Sequence, residues 1–163
     1  MDGRVIVRLD DVWKLGGAAF APGSLVQLDL SAVQSDPAHL LPTLIWAPSP
    51  RQSLGGVTAT RDRLLVSILD NVRGRALVFS PTTAGGWTET RLDLPDNLSV
   101  DFTAADHHSD LAFISTSGFL TPTTLWLANA ATASLTRTKT LPPRFDASKD
   151  VVEQLEATST DGT

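Results

Sequence analysis

Cysteine is missing from the 163-residue chain, and its absence excludes disulfide bonds, thiolate metal ligands and a cysteine nucleophile. The sequence also has no apolar run approaching the roughly 20 residues of a membrane-spanning helix. Positive charge is scarce, because 13 Lys and Arg stand against 18 Asp and Glu, for a net charge of -5. Such a chain repels nucleic acid phosphates and anionic lipid. We therefore expect no nucleic-acid partner and no membrane partner.

A secretory signal is not visible at the N-terminus, where residues 1–9 carry neither a basic start nor a long apolar stretch. We expect a cytoplasmic location on this ground, with the periplasm left open in case the true N-terminus lies upstream. What the sequence does have is 42% hydrophobic and 19% charged residues, which suits one folded domain with a sizeable core.

Short apolar runs separated by Gly, Pro, Asp and Asn clusters predict an all-β protein, because sustained helical periodicity is almost absent. Alternation of apolar and polar residues over 4–9 and over 99–104 predicts two strands with one face inward. Residues 64–69 are apolar on both faces except at Ser67, which predicts a central strand between two packed layers.

Two further elements are predicted outside these strands. A helical turn is expected over residues 36–41, with Asp36 as its N-cap and Pro37 at the first helical position. Residues 151–158 predict a strand that runs into a turn at Asp161-Gly162, and the sequence holds no returning strand. We expect from this unpaired hairpin that the chain is truncated.

A repeat organises the chain. Residues 76–79 and 124–127 occupy equivalent places in two units about 48 residues apart, and a vaguer third unit spans residues 4–48. Units of this length with about four short strands are typical of β-propeller blades, of which roughly 4 to 8 surround a channel. The sequence thus predicts an all-β partial β-propeller of about three blades of four-stranded antiparallel sheet, too few to close a ring.

One dense cluster of candidate metal ligands or acid/base groups comprises Asp106, His107, His108 and Asp110. A metal site needs ligands that converge, whereas adjacent side chains point apart. Because the cluster falls between two predicted strands, a hairpin turn is the favoured interpretation.

His39 has Ser35 and Asp36 nearby in sequence. A Ser-His-Asp relay requires a fixed spatial order with a buried carboxylate behind the imidazole, which a short helical turn cannot supply. We therefore interpret His39 as a surface histidine.

Two further residue sets have a functional and a structural interpretation. The arginines that could bind peptide carboxylates or a partner domain are Arg51, Arg61, Arg63, Arg73 and Arg75. Asp62 and Asp70 interleave with them, so local pairing or solvated faces is favoured. The tryptophans, at positions 13, 46, 87 and 126, are interpreted as packing between sheets rather than as a stacking platform.

The ordered short motifs resemble those of the prolyl oligopeptidase family over essentially the whole chain. The most specific run is Gly118-Phe119-Leu120-Thr121-Pro122-Thr123-Thr124-Leu125. The others are Trp13 with Gly16-Gly17, Pro22-Gly23-Ser24-Leu25, Pro50-Arg51-Gln52-Ser53-Leu54, Thr60-Arg61-Asp62, Asp70-Asn71-Val72-Arg73-Gly74, Gly86-Trp87, Arg144-Phe145-Asp146-Ala147 and residues 153–163.

The resemblance implies a serine endopeptidase that cleaves short peptides after proline, with a propeller that covers the active site and keeps folded proteins out. The family's serine, aspartate and histidine belong to an α/β-hydrolase domain, and the G-x-S-x-G motif that exposes such a serine is absent from this sequence. We assign no catalytic, cofactor-binding or metal-binding residue to this chain and expect it to be inactive alone.

The same resemblance implies a division of the chain. Residues 1–143 would be an incomplete propeller, and residues 144–163 an exit strand and truncated hairpin leading to the hydrolase domain. That domain is the expected partner, with short peptides as substrates of the whole enzyme. The alternative interpretation is a free-standing β-rich module that binds peptides or proteins, and a metal-dependent hydrolase is a distant third.

Overall fold

The computed structural model describes residues 3–15 and 17–160, and nearly all regular structure in these ranges is β. The elements are β1 (Arg4–Arg8), β2 (Trp13–Leu15), β3 (Ala18–Phe20), β4 (Leu25–Asp29), α1 (Leu30–Ser35), β5 (Thr43–Trp46), β6 (Gln52–Ala59), β7 (Leu64–Asp70), β8 (Arg73–Pro81), β9 (Trp87–Arg91), β10 (Ser99–Ala105), β11 (Leu111–Ser117), β12 (Thr124–Asn129) and β13 (Ser134–Thr140). The prediction of an all-β protein is confirmed.

The strands form four antiparallel sheets within the described residues. Two of them are four-stranded meanders, β6-β7-β8-β9 and β10-β11-β12-β13, which we call the second and third units. Leu77 in β8 and Leu125 in β12 lie in the third strand of each, so the repeat read from the sequence corresponds to two successive blades. Neither sheet closes on itself.

The first unit differs from the predicted four strands. It is a three-stranded sheet in the order β1-β4-β5, and β2 pairs only with β3 in a separate two-stranded hairpin. Trp13 packs against Phe20 across that hairpin, with ring centroids 6.2 Å apart. Because β2 and β3 pair only with each other, the first unit has no fourth strand among the described residues.

Two apolar clusters join the three units face to face. One lies between the second and third units and is built from Leu65, Ala76, Val78, Leu92, Leu94, Val100, Ala112, Ile114, Ala128 and Ala130. The other lies between the first and second units and is built from Leu25, Ile45, Trp46, Leu64, Val66, Ile68, Leu77 and Phe79. Removing these apolar side chains from water stabilises the folded state by about 25 cal/mol per Å² of apolar surface buried, and this holds one unit against the next.

Strand β7 is the central strand that the sequence predicts, because successive side chains enter different clusters. Leu65 packs toward the third unit, whereas Leu64 and Val66 pack toward the first. The polar exception, Ser67, is 5% exposed. Its hydroxyl oxygen accepts a 2.7 Å hydrogen bond from the Gly56 backbone N–H, at the bulge in β6, so the buried hydroxyl has a partner.

The two predicted alternating strands behave differently. In β10, Val100 is buried and Phe102 half-buried while Ser99 and Asp101 are exposed, but a register shift after Phe102 leaves Ala104 exposed. A bulge adds one residue and inverts the facing pattern beyond it. In β1, residues 4–7 are all half-buried, so the prediction of a single inward face is wrong there.

The helical turn lies six residues earlier than predicted. Helix α1 begins after Asp29, whose side chain accepts a 2.9 Å hydrogen bond from the Ala32 N–H, and Asp36 caps its C-terminal end. The Asp29 side chain accepts a hydrogen bond from a backbone N–H of the first helical turn. Because β4 ends at Asp29, the helix starts there. Because Asp36 ends the helix, the prediction for residues 36–41 is wrong.

The strand predicted over residues 151–158 is wrong as well. Residues 151–159 have no regular secondary structure and pair with no strand of the described part. Side chains hold this stretch instead. The predicted Asp161-Gly162 turn lies outside the described residues.

Candidate functional site

The loops of the second and third units fall at two ends of the sheets, because consecutive antiparallel strands reverse direction at each turn. One end carries residues 70–73, 92–98 and 118–123 together with the segment after β13, residues 141–160. We call this the segment end and residues 141–160 the C-terminal segment. The opposite end carries the turns at 60–63, 82–86, 106–110 and 130–133.

The candidate metal or acid/base cluster, for which a hairpin turn is the favoured interpretation, lies at the opposite end, in the turn between β10 and β11. Asp106 accepts a 2.8 Å hydrogen bond from the His108 N–H and a 2.6 Å one from the Ser109 hydroxyl. The Ser109 bond, followed by the His108 bond, lowers the pKa of Asp106. Within the described residues no three potential ligands gather around a metal position, so the geometry is that of an Asx turn.

Asp110 has a structural role that sequence reasoning missed. Its buried carboxylate accepts hydrogen bonds from the Thr60 hydroxyl at 2.8 Å and the Asp62 N–H at 3.0 Å, and Arg61 Nη2 lies 3.6 Å away. These partners belong to the β6–β7 turn of the second unit. Asp110 therefore ties the turns of two units together, and no sequence signal distinguishes it from the neighbouring Asp106.

His39 is a surface histidine, as predicted from the sequence. Its side chain is 82% exposed, and Nδ1 lies 2.9 Å from a carboxylate oxygen of Asp36. A pair this exposed has no buried carboxylate behind the imidazole, so it lacks the geometry of a catalytic relay.

The arginines pair less locally than expected. Arg61 contacts the adjacent Asp62 at 2.7 Å, but Arg75 pairs with Asp96, which lies in the β9–β10 connection. Arg51 reaches Glu156 at 2.7 Å, across 105 positions of sequence. The acidic residues close in sequence to the arginines, Asp62 and Asp70, give no indication of these distant partners.

Two of the tryptophans pack between the sheets of the first and second units, as predicted. Trp46 is buried among the apolar side chains of that boundary, and Trp87 packs against the same cluster. Trp87 Nε1 donates a 3.0 Å hydrogen bond to Gln27, and the Arg4 guanidinium lies 5.3 Å from its ring centroid. Trp87 of the second unit thus contacts two strands of the first.

The segment end carries two open grooves that meet at the β11–β12 loop. The larger, of about 770 Å³, lies between this loop and residues 141–148, and the smaller, of about 520 Å³, reaches Val72 and Val152. Both are lined by Phe119, which is 85% exposed. Phe145, in the first groove, is 56% exposed. Two exposed aromatic side chains that line one groove are typical of an interaction surface.

Comparison with known proteins gives this architecture a family. The model of the prolyl oligopeptidase N-terminal β-propeller domain matches residues 18–140. The chain belongs to the prolyl oligopeptidase family. The resemblance, the propeller fold and the restriction to the N-terminal part of such enzymes are therefore confirmed.

The relatives of this propeller chain are much longer proteins. An uncharacterized peptidase of Sinorhizobium fredii is 38% identical over 162 residues, which are 99% of this chain and 22% of that protein. An uncharacterized peptidase of Rickettsia prowazekii is 27% identical over 92% of this chain and 21% of that protein. The chain thus spans about a fifth of the length of the curated relatives it matches.

Solved structures agree with the propeller assignment. A post-proline cleaving enzyme from Rickettsia typhi superposes with a TM-score of 0.83 at 25% identity, over 99% of this chain and 23% of that one. Oligopeptidase B from Trypanosoma brucei superposes with a TM-score of 0.62 at 15% identity, over 99% and 24%, and shows the fold alone. Among the described residues, no helix has both the length and the apolar character to cross a bilayer.

Proposed function

We propose that this chain is the non-catalytic propeller part of a prolyl oligopeptidase-like serine peptidase, in which it limits the access of peptides to an active site on another domain. The observation that carries the proposal is coverage, since 99% of the chain matches only 22% of a peptidase relative. Residues 1–143 would form propeller blades and residues 144–163 the connection to an α/β-hydrolase domain.

The candidate catalytic groups support a non-catalytic role. The three histidines of the sequence are His39, His107 and His108. His39 pairs with an exposed Asp36, while His107 and His108 are exposed in a hairpin turn. Each arrangement is that of a surface residue rather than of an oriented general base.

The segment end is the surface that we propose for contact with the hydrolase domain. It carries the exposed Phe119 and Phe145, and the C-terminal segment runs across it. Aromatic side chains are enriched at the centres of protein interfaces. A domain that follows residue 160 in the whole enzyme would therefore begin beside an apolar surface able to receive it.

Activity measurements test the proposal directly. The chain alone should neither hydrolyse a proline-containing chromogenic peptide nor react with a fluorophosphonate probe. A chimera in which this chain replaces the matching segment of the Sinorhizobium fredii peptidase should hydrolyse the short peptide and leave a folded protein intact. Turnover by the chain alone that one serine substitution abolishes would overturn the non-catalytic role. A chimera that degrades folded protein as fast as peptide would contradict the limiting of access.

A further inference from the structure

The C-terminal segment crosses from the third unit to the second and is held there by side chains. Glu156 accepts hydrogen bonds from Arg51 Nη1 at 2.7 Å and from Asn71 Nδ2 at 3.0 Å. Gln154 accepts one from Arg73 Nε at 3.2 Å and donates one to the Asn71 carbonyl oxygen at 3.0 Å. Four hydrogen bonds therefore join two residues of the segment to three residues of the second unit.

Spacing along the segment explains why these two residues make the contacts. In an extended chain, residues two apart point to the same side. Val152 and Gln154 are half-buried, whereas Val151, Glu153 and Leu155 are exposed. The segment thus turns one side toward the second unit while its backbone remains outside any sheet.

The receiving side is a strained turn. The β7–β8 turn has Asn71 at φ 48° and Val72 at φ 62°, as a two-residue hairpin turn of type I′ requires. A β-branched residue at positive φ is strained, and such strain collects at functional positions. Here the turn directs both the side chain and the carbonyl of Asn71 at the segment.

We propose that Arg51, Asn71 and Arg73 form a clasp that fixes the C-terminal segment across the boundary between the second and third units. The clasp is reversible, because it consists of exposed and half-buried side-chain contacts without a backbone ladder. The hydrogen bond from Asn71, together with the charge of Arg51, lowers the pKa of Glu156, in agreement with a stabilised carboxylate. The effect of the clasp on a hydrolase domain rests on the proposed function, whereas the clasp itself does not.

The absence of cysteine allows a direct test with a single nitroxide label at Ala157→Cys, an exposed position next to the clasp. The label should be immobilised in the otherwise unchanged chain. Arg51→Ala and Glu156→Ala should each shorten its rotational correlation time by about threefold or more, as for a freed segment. The doubly substituted chain should be no more mobile than Glu156→Ala alone, because Glu156→Ala already removes the contact that Arg51→Ala breaks.

A matched control separates the clasp from general charge effects. Arg137→Ala removes the same charge from an exposed position of β13 and should leave the spectrum unchanged. Salt at 1 M shortens the Debye length to about 3 Å. It should increase the mobility of the label in the chain that carries only Ala157→Cys, and it should cause no further increase in Glu156→Ala.

An unchanged spectrum in both single variants would overturn the proposal. Circular dichroism and a melting curve establish that each variant is folded. Should a variant fail to fold alone, the same label and substitutions are measured in the chimera with the Sinorhizobium fredii peptidase. Label mobility is read without any activity, so failure of the clasp and failure of the peptidase proposal give different results.

Discussion

At the scale of single residues, the described part of the chain uses charged groups mainly to tie loops together. Asp110 joins two turns, Asp96 joins Arg75 and Arg91, and Glu156 joins Arg51 and Asn71. A buried carboxylate is stable only with several donors. Of the candidate groups named from the sequence, Asp110 therefore acts as a structural link between loops.

Replacing Asp110 should reveal the link between the β6–β7 and β10–β11 turns. Asp110→Ala leaves the Thr60 hydroxyl and the Asp62 N–H without their acceptor, and should lower the free energy of unfolding by about 1–3 kcal/mol. Asp110→Asn keeps an acceptor oxygen and should cost less. Urea unfolding measures both, with the exposed Asp101→Ala as the control. Equal losses in Asp110→Ala and Asp101→Ala would contradict the link.

Asp96 should make stability depend on pH. The hydrogen bond from Arg75 and its charge, with smaller contributions from Arg91 and Arg73, lower the pKa of Asp96. A carboxyl with a lowered folded pKa stabilises the fold fully above its unfolded value, about 3.9, and loses this contribution as pH falls through the folded value. The stability difference from Asp96→Asn should therefore be constant from pH 7 to about pH 5 and shrink below about pH 4. A difference that stays constant down to pH 3, measured by urea unfolding, would refute the assignment.

At the scale of elements, the joints between units depend on close backbone approach at the segment end. The Gly74 N–H donates a 2.9 Å hydrogen bond to the Leu98 carbonyl oxygen. A Cβ at Gly74 would lie 2.4 Å from that oxygen, and one at Gly118 would lie 2.8 Å from Leu98 Cδ2. Because neither glycine has a Cβ, the start of β8 at Gly74 and the β11–β12 loop at Gly118 can both contact the β9–β10 connection.

Gly74→Ala should separate the second unit from the connection that leads into the third. Because the clash is with backbone, the chain must shift, and we expect a loss of about 1–3 kcal/mol in the free energy of unfolding. Gly86→Ala is the matched control, since its Cβ would meet Thr82 Oγ1 at an ordinary 3.5 Å. Comparable melting temperatures for the two variants would show that the close approach carries no cost.

At the scale of the whole molecule, the three units present an apolar surface at one end. Phe119 is 85% exposed there, between two grooves. A soluble protein seldom leaves such a surface uncovered without a partner. The curated relatives are about five times longer by coverage, and under the proposed function part of that additional chain would cover this surface.

Phe119→Ser should change surface properties without changing stability. The exposed ring contributes little to the core, so we expect the free energy of unfolding to stay within about 0.5 kcal/mol. Binding of an environment-sensitive apolar dye should fall. Phe79→Ser, which removes a buried ring, is the contrasting variant and should destabilise the chain. Unaltered dye binding in Phe119→Ser would place the exposed apolar surface elsewhere.

Local patterns were enough to predict the second and third units. The two-sided apolar run at residues 64–69 identified β7, and the equivalence of residues 76–79 with 124–127 identified the third strands of two sheets. Both signals depend on side-chain period and burial, which act within a few residues. Local signals gave the wrong start for α1, because Asp29 and Asp36 are both competent caps and only the end of β4 selects between them.

The sequence by itself determined the all-β class and the repeat, because these follow from composition and short-range periodicity. Only the tertiary structure decided that the first unit has three strands, that Asp110 links two turns, and that Glu156 meets Arg51 across 105 positions. The physical reason is distance along the chain. A contact between residues so far apart depends on the packing of whole sheets, which no local pattern encodes.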